Sequence, residues 1–280
     1  MVSKSNPIPG NPHQDDQYGI CDLSIVPVRI EPSDKSELGT QLLFGDAFKV
    51  EDISEDKKWI QIRNASDNYV GWIDFKQFKP VSREYFDLII SYDSPMCKDL
   101  IGLLQGENKF FPVLRGSLLP FYKNGNITLD NEVYKFQGEI IYPKRTNDAK
   151  FLELTARNYL GAPYLWGGKG HFGIDCSGFV QQTFRFCGFK LPRDAHQQAE
   201  CGKKVNFSDL KAGDLAFFSN DAGKIFHVGI IMASGQIIHA SGEVRLDNLD
   251  NKGIFHIEKK VYTHKLAFIK RLLINYPLNN

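Results

Sequence analysis

Gly168-Lys-Gly-His-Phe-Gly-Ile-Asp-Cys-Ser-Gly-Phe-Val180 is the stretch on which the reading of this chain turns. A polar, glycine-rich approach leads into Asp175 and Cys176 and then into an apolar run, which sets one cysteine at the start of a helix. Two histidine-bearing runs of strand character follow, His227-Val-Gly-Ile-Ile-Met232 and Gln236-Ile-Ile-His-Ala-Ser241. A thiol at a helix N-terminus, with imidazoles arriving later from a sheet, is the material of a cysteine nucleophile. The pattern points to hydrolysis or acyl transfer.

A free cysteine has a pKa of ~8.5, which a helix N-terminus or a nearby imidazolium lowers. The first-turn N–H groups would also serve an oxyanion. Ser177 and Gly178 keep that turn small and open. A buried structural thiol is the commoner fate of a lone cysteine; Cys97 and Cys187 fit it, whereas the glycine-rich approach to Cys176 does not. The cysteines at 21, 97, 176, 187 and 201 are odd in number and form no Cys-x-x-Cys, so they make neither a disulfide scaffold nor a zinc module.

The geometry of the base hangs on one hairpin. In the first histidine strand His227, Gly229 and Ile231 share a face; in the second His239 shares one with Ile237 and Ser241. A two-residue turn at Ser234-Gly235 would put the histidines on opposite faces. A three-residue loop, Ala233 to Gly235, pairs Gly229 with His239 and His227 with Ser241 and makes the imidazoles diagonal neighbours, about 7–8 Å apart at Cα. Gly235 stands at the left-handed position such loops want, so the three-residue loop is expected. The remaining candidates, His171, His196, His256 and His264, lack a partner pattern and read as surface or structural.

The rest of the chain supports this core. At 280 residues, 42% hydrophobic and 24% charged, it has room for two or three packed domains. A net charge of +1 supplies no general attraction to nucleic acid or to anionic membrane, and neither is an expected partner. The first sixteen residues lack the apolar core of a secretion signal, and no run approaches the ~18 apolar residues of a membrane span. The expected compartment is the cytoplasm, or outside the cell if a signal preceded this sequence.

Residues 1–17 read as a loose tail. Short β-like runs fill 18–80, among them Gln41–Phe44, Ala47–Glu51, Trp59–Arg63 and Tyr69–Ile73, as in a small barrel or sandwich. A second unit of similar size spans 81–144, with strands expected at Phe86–Ser91, Pro112–Leu114, Ile127–Leu129, Tyr134–Phe136 and Gly138–Ile141. From 148 to 275 the texture is α+β: helices at Ala149–Leu160 and Cys176–Cys187, then strands at Asp214–Ser219, in the two histidine runs and at Ala267–Leu273. The chain contains no His-Glu-x-x-His, no Gly-x-Ser-x-Gly and no Walker pattern, so no metal or other cofactor is called for.

Six stretches together resemble the NlpC-type cysteine peptidases, papain-like hydrolases that cut bacterial cell-wall peptides. They are Pro163–Gly168, Asp175–Val180, Leu191–Asp194, Leu210–Leu215, His227–Ile230 and Ile238–Ser241, in the family's order. The resemblance implies Cys176 as nucleophile, His227 as base and His239 as the group that orients it. It sets Tyr164, Asp175 and Ser177 along the substrate cleft. It implies an α+β fold, a papain-like catalytic domain preceded by two small all-β SH3-like barrels. The implied reaction is hydrolysis of the bond between γ-D-glutamate and the diamino acid, lysine or diaminopimelate, of a murein peptide, through an acyl-enzyme. A monomer is the expected state.

The N-terminal units are similar to the SH3-like domains of the dipeptidyl-peptidase VI branch, which takes peptides beginning with free L-Ala-γ-D-Glu during cell-wall recycling. By that likeness Glu37 and Tyr69 would help Asp175 hold the free amine, and an ammonium in a closed pocket does need carboxylates. An ordinary solvated loop residue and a barrel-core tyrosine are the plainer readings of those two. Rivals for the whole chain are a secreted wall-binding endopeptidase, a papain-like acyltransferase or lipase with an apolar cleft, and a non-catalytic peptidoglycan-binding protein.

Overall fold

The structure, a computed structural model, describes residues 17–273. Nearly all of the expected tail, residues 1–16, lies outside them, as do residues 274 and 275 of the last expected domain.

Seven strands build the first unit: β1 (Tyr18–Ile20), β2 (Ile25–Arg29), β3 (Leu38–Leu43), β4 (Ala47–Ile53), β5 (Trp59–Asn64), β6 (Val70–Asp74) and β7 (Lys79–Val81). They pair in the order β3-β2-β6-β5-β4-β1-β7 around a core of Val26, Val28, Leu42, Phe48, Ile60, Ile62 and Ile73. Alternation decides which way the strands face: Ile60 and Ile62 of β5 are fully buried, whereas Gln61 and Arg63 are not.

The second unit is not all-β. Residues Arg83–Ser91, where a strand was expected from Phe86, form helix α1. Ser82 caps the segment through a hydrogen bond from Tyr85 N–H at 3.1 Å. Phe86 and Ile89, three apart, then turn one face inward. β8 (Met96–Cys97), β9 (Ile101–Gln105), β10 (Phe110–Leu114), β11 (Asn126–Leu129), β12 (Glu132–Gln137) and β13 (Ile140–Ile141) complete the unit. Four of these form a sheet in the order β10-β9-β12-β11, and β13 pairs with β8. One of the two inner strands of that sheet, β9, is absent from the sequence reading. Tyr18, Ile20, Phe44 and Ala47 of the first unit share a core with Phe86, Ile89, Leu104 and Val113 of the second, so the two are packed together.

The last unit holds helices α2 (Ala149–Arg157), α3 (Cys176–Phe186) and the short α4 (Ala195–Gln198), with the small hairpin β14 (Lys169–Gly170) and β15 (Gly173–Ile174) between α2 and α3. Asp148 caps α2 through Lys150 and Phe151 N–H. The strands are β16 (Lys203–Val205), β17 (Leu215–Ser219), β18 (Ile225–Ile231), β19 (Gln236–Ser241), β20 (Glu243–Leu249), β21 (Gly253–His256) and β22 (Val261–Arg271). They run β16-β22-β17-β18-β19-β20-β21, and β22 also pairs with β21, which curls the sheet back on itself. One face, with Leu215, Phe217, Val228, Ile230 and Ile238, packs on Phe179, Val180 and Phe184 of α3 and on Leu152 and Ala156 of α2. Each fully buried Leu, Val, Ile or Phe among these contributes roughly 1.5–3 kcal/mol. The other face holds Ala216, Phe218, Ile231, Ile237 and Ile254. Among the described residues no helix is long and apolar enough to cross a membrane.

Candidate active site

Asp175 stops the extended backbone and starts α3. Its own φ and ψ are −94° and 178°, and its side chain accepts from Gly178 N–H at 2.7 Å. Cys176 is therefore the first helical residue, at the positive end of the helix dipole. Gly178 allows the loop before β14 to pass this close, since a Cβ there would come within 2.3 Å of the Gly168 carbonyl oxygen. The thiol is 6% exposed. Burial pushes it up to about 12, with Asp175 adding to the rise and the N–H groups of Val228 and Ser177 opposing it. A sulfur so buried needs a base to take its proton.

The candidate base comes from the hairpin of β18 and β19. Ile230 pairs with Ile238 and Ile231 with Ile237, and Met232 N–H reaches Gln236 O at 2.8 Å, the register of a three-residue loop. Gly235 closes that loop at φ +78°. His227 and His239 then share a face, as expected, and His227 Nε2 meets His239 Nδ1 at 2.9 Å. Gly229, opposite His239, keeps the space open: a Cβ would stand 2.9 Å from His239 Cβ and 2.6 Å from Ile237 Cδ1.

A residue absent from the sequence reading sets the direction of that hydrogen bond. His239 Nε2 lies 3.2 Å from Asp247 Oδ2 on β20, and both side chains are 1% exposed. Burial works against an ionised Asp247, but hydrogen bonds from His239, Ile257 N–H and Arg245 hold its carboxyl well below the usual range. A carboxylate only accepts, so His239 donates from Nε2 and presents a lone pair at Nδ1. His227 must then donate from Nε2, which leaves its Nδ1 as the free acceptor. Arg245, Asp247, His239 and His227 thus form one chain that ends in a basic nitrogen. Burial, with His239 and His264 beside it, keeps His227 neutral to well below its ordinary pKa. His264, read as surface or structural, belongs to this cluster: its ring stacks on His227 at 4.2 Å and 28°.

Asp175 and Ser177 sit together, joined by a further residue. Arg193, 1% exposed, reaches Asp175 Oδ2 at 2.7 Å and Oδ1 at 3.0 Å, and Ser177 Oγ at 2.8 Å. Asp175 also accepts from Gly167 N–H at 2.9 Å and from the Ser177 hydroxyl at 3.2 Å. The carboxylate expected to wait for an ammonium is thus already balanced by a guanidinium. Tyr164 is half-buried, and burial together with nearby Cys176 and Asp175 raises its hydroxyl pKa.

The first unit reaches this place along β3. Arg193 Nε donates to Thr40 Oγ1 at 2.9 Å and Lys169 N–H to Gln41 at 2.8 Å. Gln181 of α3 donates to Asp67 at 3.0 Å, and Arg185 pairs with Asp46 at 3.1 Å. Gly167, at φ +76°, passes so near Leu38 O that a Cβ would come within 2.2 Å. Glu37 is exposed and takes the Trp166 indole N–H at 2.5 Å. Tyr69 is half-buried; burial, then the charges of Asp194, Arg193 and Glu37, govern its hydroxyl. Both residues therefore stand on the catalytic unit's border.

Comparison with known proteins agrees with this arrangement. A family model described as the NlpC/P60 family matches residues 161–263, and one described as the bacterial dipeptidyl-peptidase Sh3 domain matches residues 28–78. The chain is 31% identical over 242 residues to gamma-D-glutamyl-L-lysine dipeptidyl-peptidase of Bacillus subtilis (strain 168), covering 81% of this chain and 76% of that protein. The protein of the same name from Bacillus cereus (strain ATCC 10987 / NRS 248) is 31% identical over 233 residues, covering 73% and 68%. A crystal structure of an NlpC/P60 family protein from Bacillus cereus ATCC 10987 matches with a TM-score of 0.77 at 22% identity, over 92% of this chain and 100% of that one. At that identity the likeness is one of fold.

Proposed function

The chain belongs to the NlpC/P60 family of peptidases, with a bacterial SH3 domain before the catalytic one, and from that membership we propose a specific activity. It is a cysteine peptidase that hydrolyses the bond between γ-D-glutamate and the diamino acid of murein peptides whose N-terminal L-alanine is free. The observation that carries this reading is the position of Glu37 and Tyr69. Trp166 ties Glu37 to the loop before Cys176, and Tyr69 lies among the charges of Arg193 and Asp194. An enzyme cutting inside long strands needs a cleft open at both ends; a wall carrying a carboxylate at one end suits a short peptide with a terminal ammonium. The name shared by the two relatives at 31% identity supports the same substrate class.

In this mechanism the Cys176 S–H bond breaks, the proton passes to His227 Nδ1, and the sulfur electron pair bonds to the γ-carbonyl carbon. The oxyanion that forms is met by N–H groups at the start of α3. His227 returns the proton to the leaving amine, and water, deprotonated by the same nitrogen, then hydrolyses the thioester. His239 and Asp247 keep the accepting nitrogen in the right tautomer throughout. Glu37 receives the free ammonium, with Tyr69 beside it and Asp175 behind Arg193; Tyr164 and Ser177 line the cleft.

The deciding experiment sets L-Ala-γ-D-Glu-L-Lys against its N-acetylated form. Cleavage of the free-amine peptide alone, lost in Cys176→Ala, supports the reading. Equal cleavage of both removes the amine pocket, and no cleavage of either removes the substrate.

A further inference from the structure

We propose that His264 is a positioning residue for the base: it holds the plane of His227 by stacking on it. The inference rests on the cysteine-peptidase reading above and deepens it.

The need for such a residue follows from how His227 is held. Its Nε2 is pinned to His239 at 2.9 Å, but one hydrogen bond is a pivot. The torsion that turns an imidazole about its Cβ–Cγ bond is broad. A ring free to swing about Nε2 would not present Nδ1 in one fixed direction. A second restraint on the ring plane removes that freedom, and His264 supplies it from β22, with centroids 4.2 Å apart and planes 28° from parallel.

His264 is itself braced. Its Nδ1 lies 2.8 Å from the Thr263 hydroxyl. Phe218 meets its ring edge-on at 5.9 Å, and His239 does so at 5.7 Å. Phe226 flanks the cluster, 5.7 Å from His264 and 6.3 Å from His227.

The titratable and charged groups around His264 are His227 on β18, His239 on β19 and Asp247 on β20, with Arg245 and His256 behind His239. Burial and His239, against the opposing pull of Asp247, bring His264 down to about 4.

The test compares wild type with His264→Ala and His264→Phe. The readouts are the pH profile of mass-resolved iodoacetamide labelling at Cys176, kcat and KM on L-Ala-γ-D-Glu-L-Lys, and melting temperature. His264→Ala is expected to lower both kcat and the labelling rate at pH 7 about three- to tenfold, the size of one aromatic contact, with KM unchanged. His264→Phe keeps the flat ring and restores most of the loss. Wild-type behaviour in His264→Ala overturns the proposal, as does a His264→Phe variant equally impaired at an unchanged melting temperature. Labelling also separates this inference from the substrate reading. If wild type cleaves no such peptide, a labelling rate that falls in both His227→Ala and His264→Ala still supports the stack. A rate indifferent to both overturns it together with the peptidase mechanism.

Discussion

Asp247 reaches His239 at 3.2 Å inside the curled sheet, with both side chains cut off from solvent, and through that contact it determines which nitrogen of His227 is basic. Asp247→Asn keeps the shape and removes the obligatory acceptor. The amide can donate to His239 Nε2, which flips its tautomer and turns His239 Nδ1 into a donor facing His227. Outer hydrogen-bond partners of this kind typically cost about 10- to 100-fold when lost. The expected result is a kcat loss of that order at unchanged KM, measured on the free-amine tripeptide, with labelling of Cys176 slowed in parallel.

The pH dependence follows from burial. His227 must be neutral to act as base, and its pKa is depressed. The acid limb of kcat/KM is therefore expected below the ordinary histidine value of ~6.5. Stability carries the same sign. In the unfolded chain these histidines protonate near ~6.5, whereas His264 holds out to about 4 and His227 and His239 are depressed as well. The unfolded state then binds more protons in that window, so stability is full above it and declines as pH falls from ~6.5 toward 4. Melting temperature followed across that range should drop in wild type and drop less in His264→Phe; a flat wild-type curve would refute the argument.

How much of this was legible beforehand depends on the range of each signal. The three-residue loop could be read because Gly235 and the period-two alternation are local, and together they set the register that joins His227 to His239. Cys176 was legible because Asp175 and the glycines before it mark a helix start. Asp247 and His264 were not, since β20 is a mixed polar strand whose neighbours are decided only when the sheet curls round to β22. An alternation of Arg245 and Asp247 beside a catalytic-looking strand was the available signal. The strand expected at Phe86–Ser91 is a helix because Ser82 caps it and Phe86 and Ile89 pack inward against the first unit, and that packing is tertiary. Arg193 stood inside a quoted stretch, but its role exists only where Asp175, Ser177 and Thr40 converge.

Glu37 offers a direct test of the amine pocket. Among the described residues its Oε1 is held by Trp166, and Oε2 accepts no hydrogen bond, which leaves it available to an ammonium. Charge-assisted hydrogen bonds contribute about 1.5–3 kcal/mol, so Glu37→Gln should raise KM for the free-amine peptide about tenfold or more. Hydrolysis of an N-acetylated peptide, where detectable, should be untouched. Equal effects on both peptides would assign Glu37 to domain docking instead.

Arg193 carries the opposite expectation, a loss of fold before a loss of specificity. It is the cation that balances buried Asp175, and it also holds Ser177 and Thr40, so one side chain joins the helix cap, the cleft and the first unit. Arg193→Met leaves the Asp175 carboxylate buried without a counter-charge, a change that costs about 3–5 kcal/mol. Arg193→Lys keeps the charge but loses the two-pronged contact with Asp175 and the Nε donor to Thr40, so it should recover only part of the stability. Chemical denaturation of the full chain measures this, and Arg193→Met with an unchanged midpoint would mean that Asp175 draws its compensation from the backbone N–H groups of Gly167 and Gly178 alone.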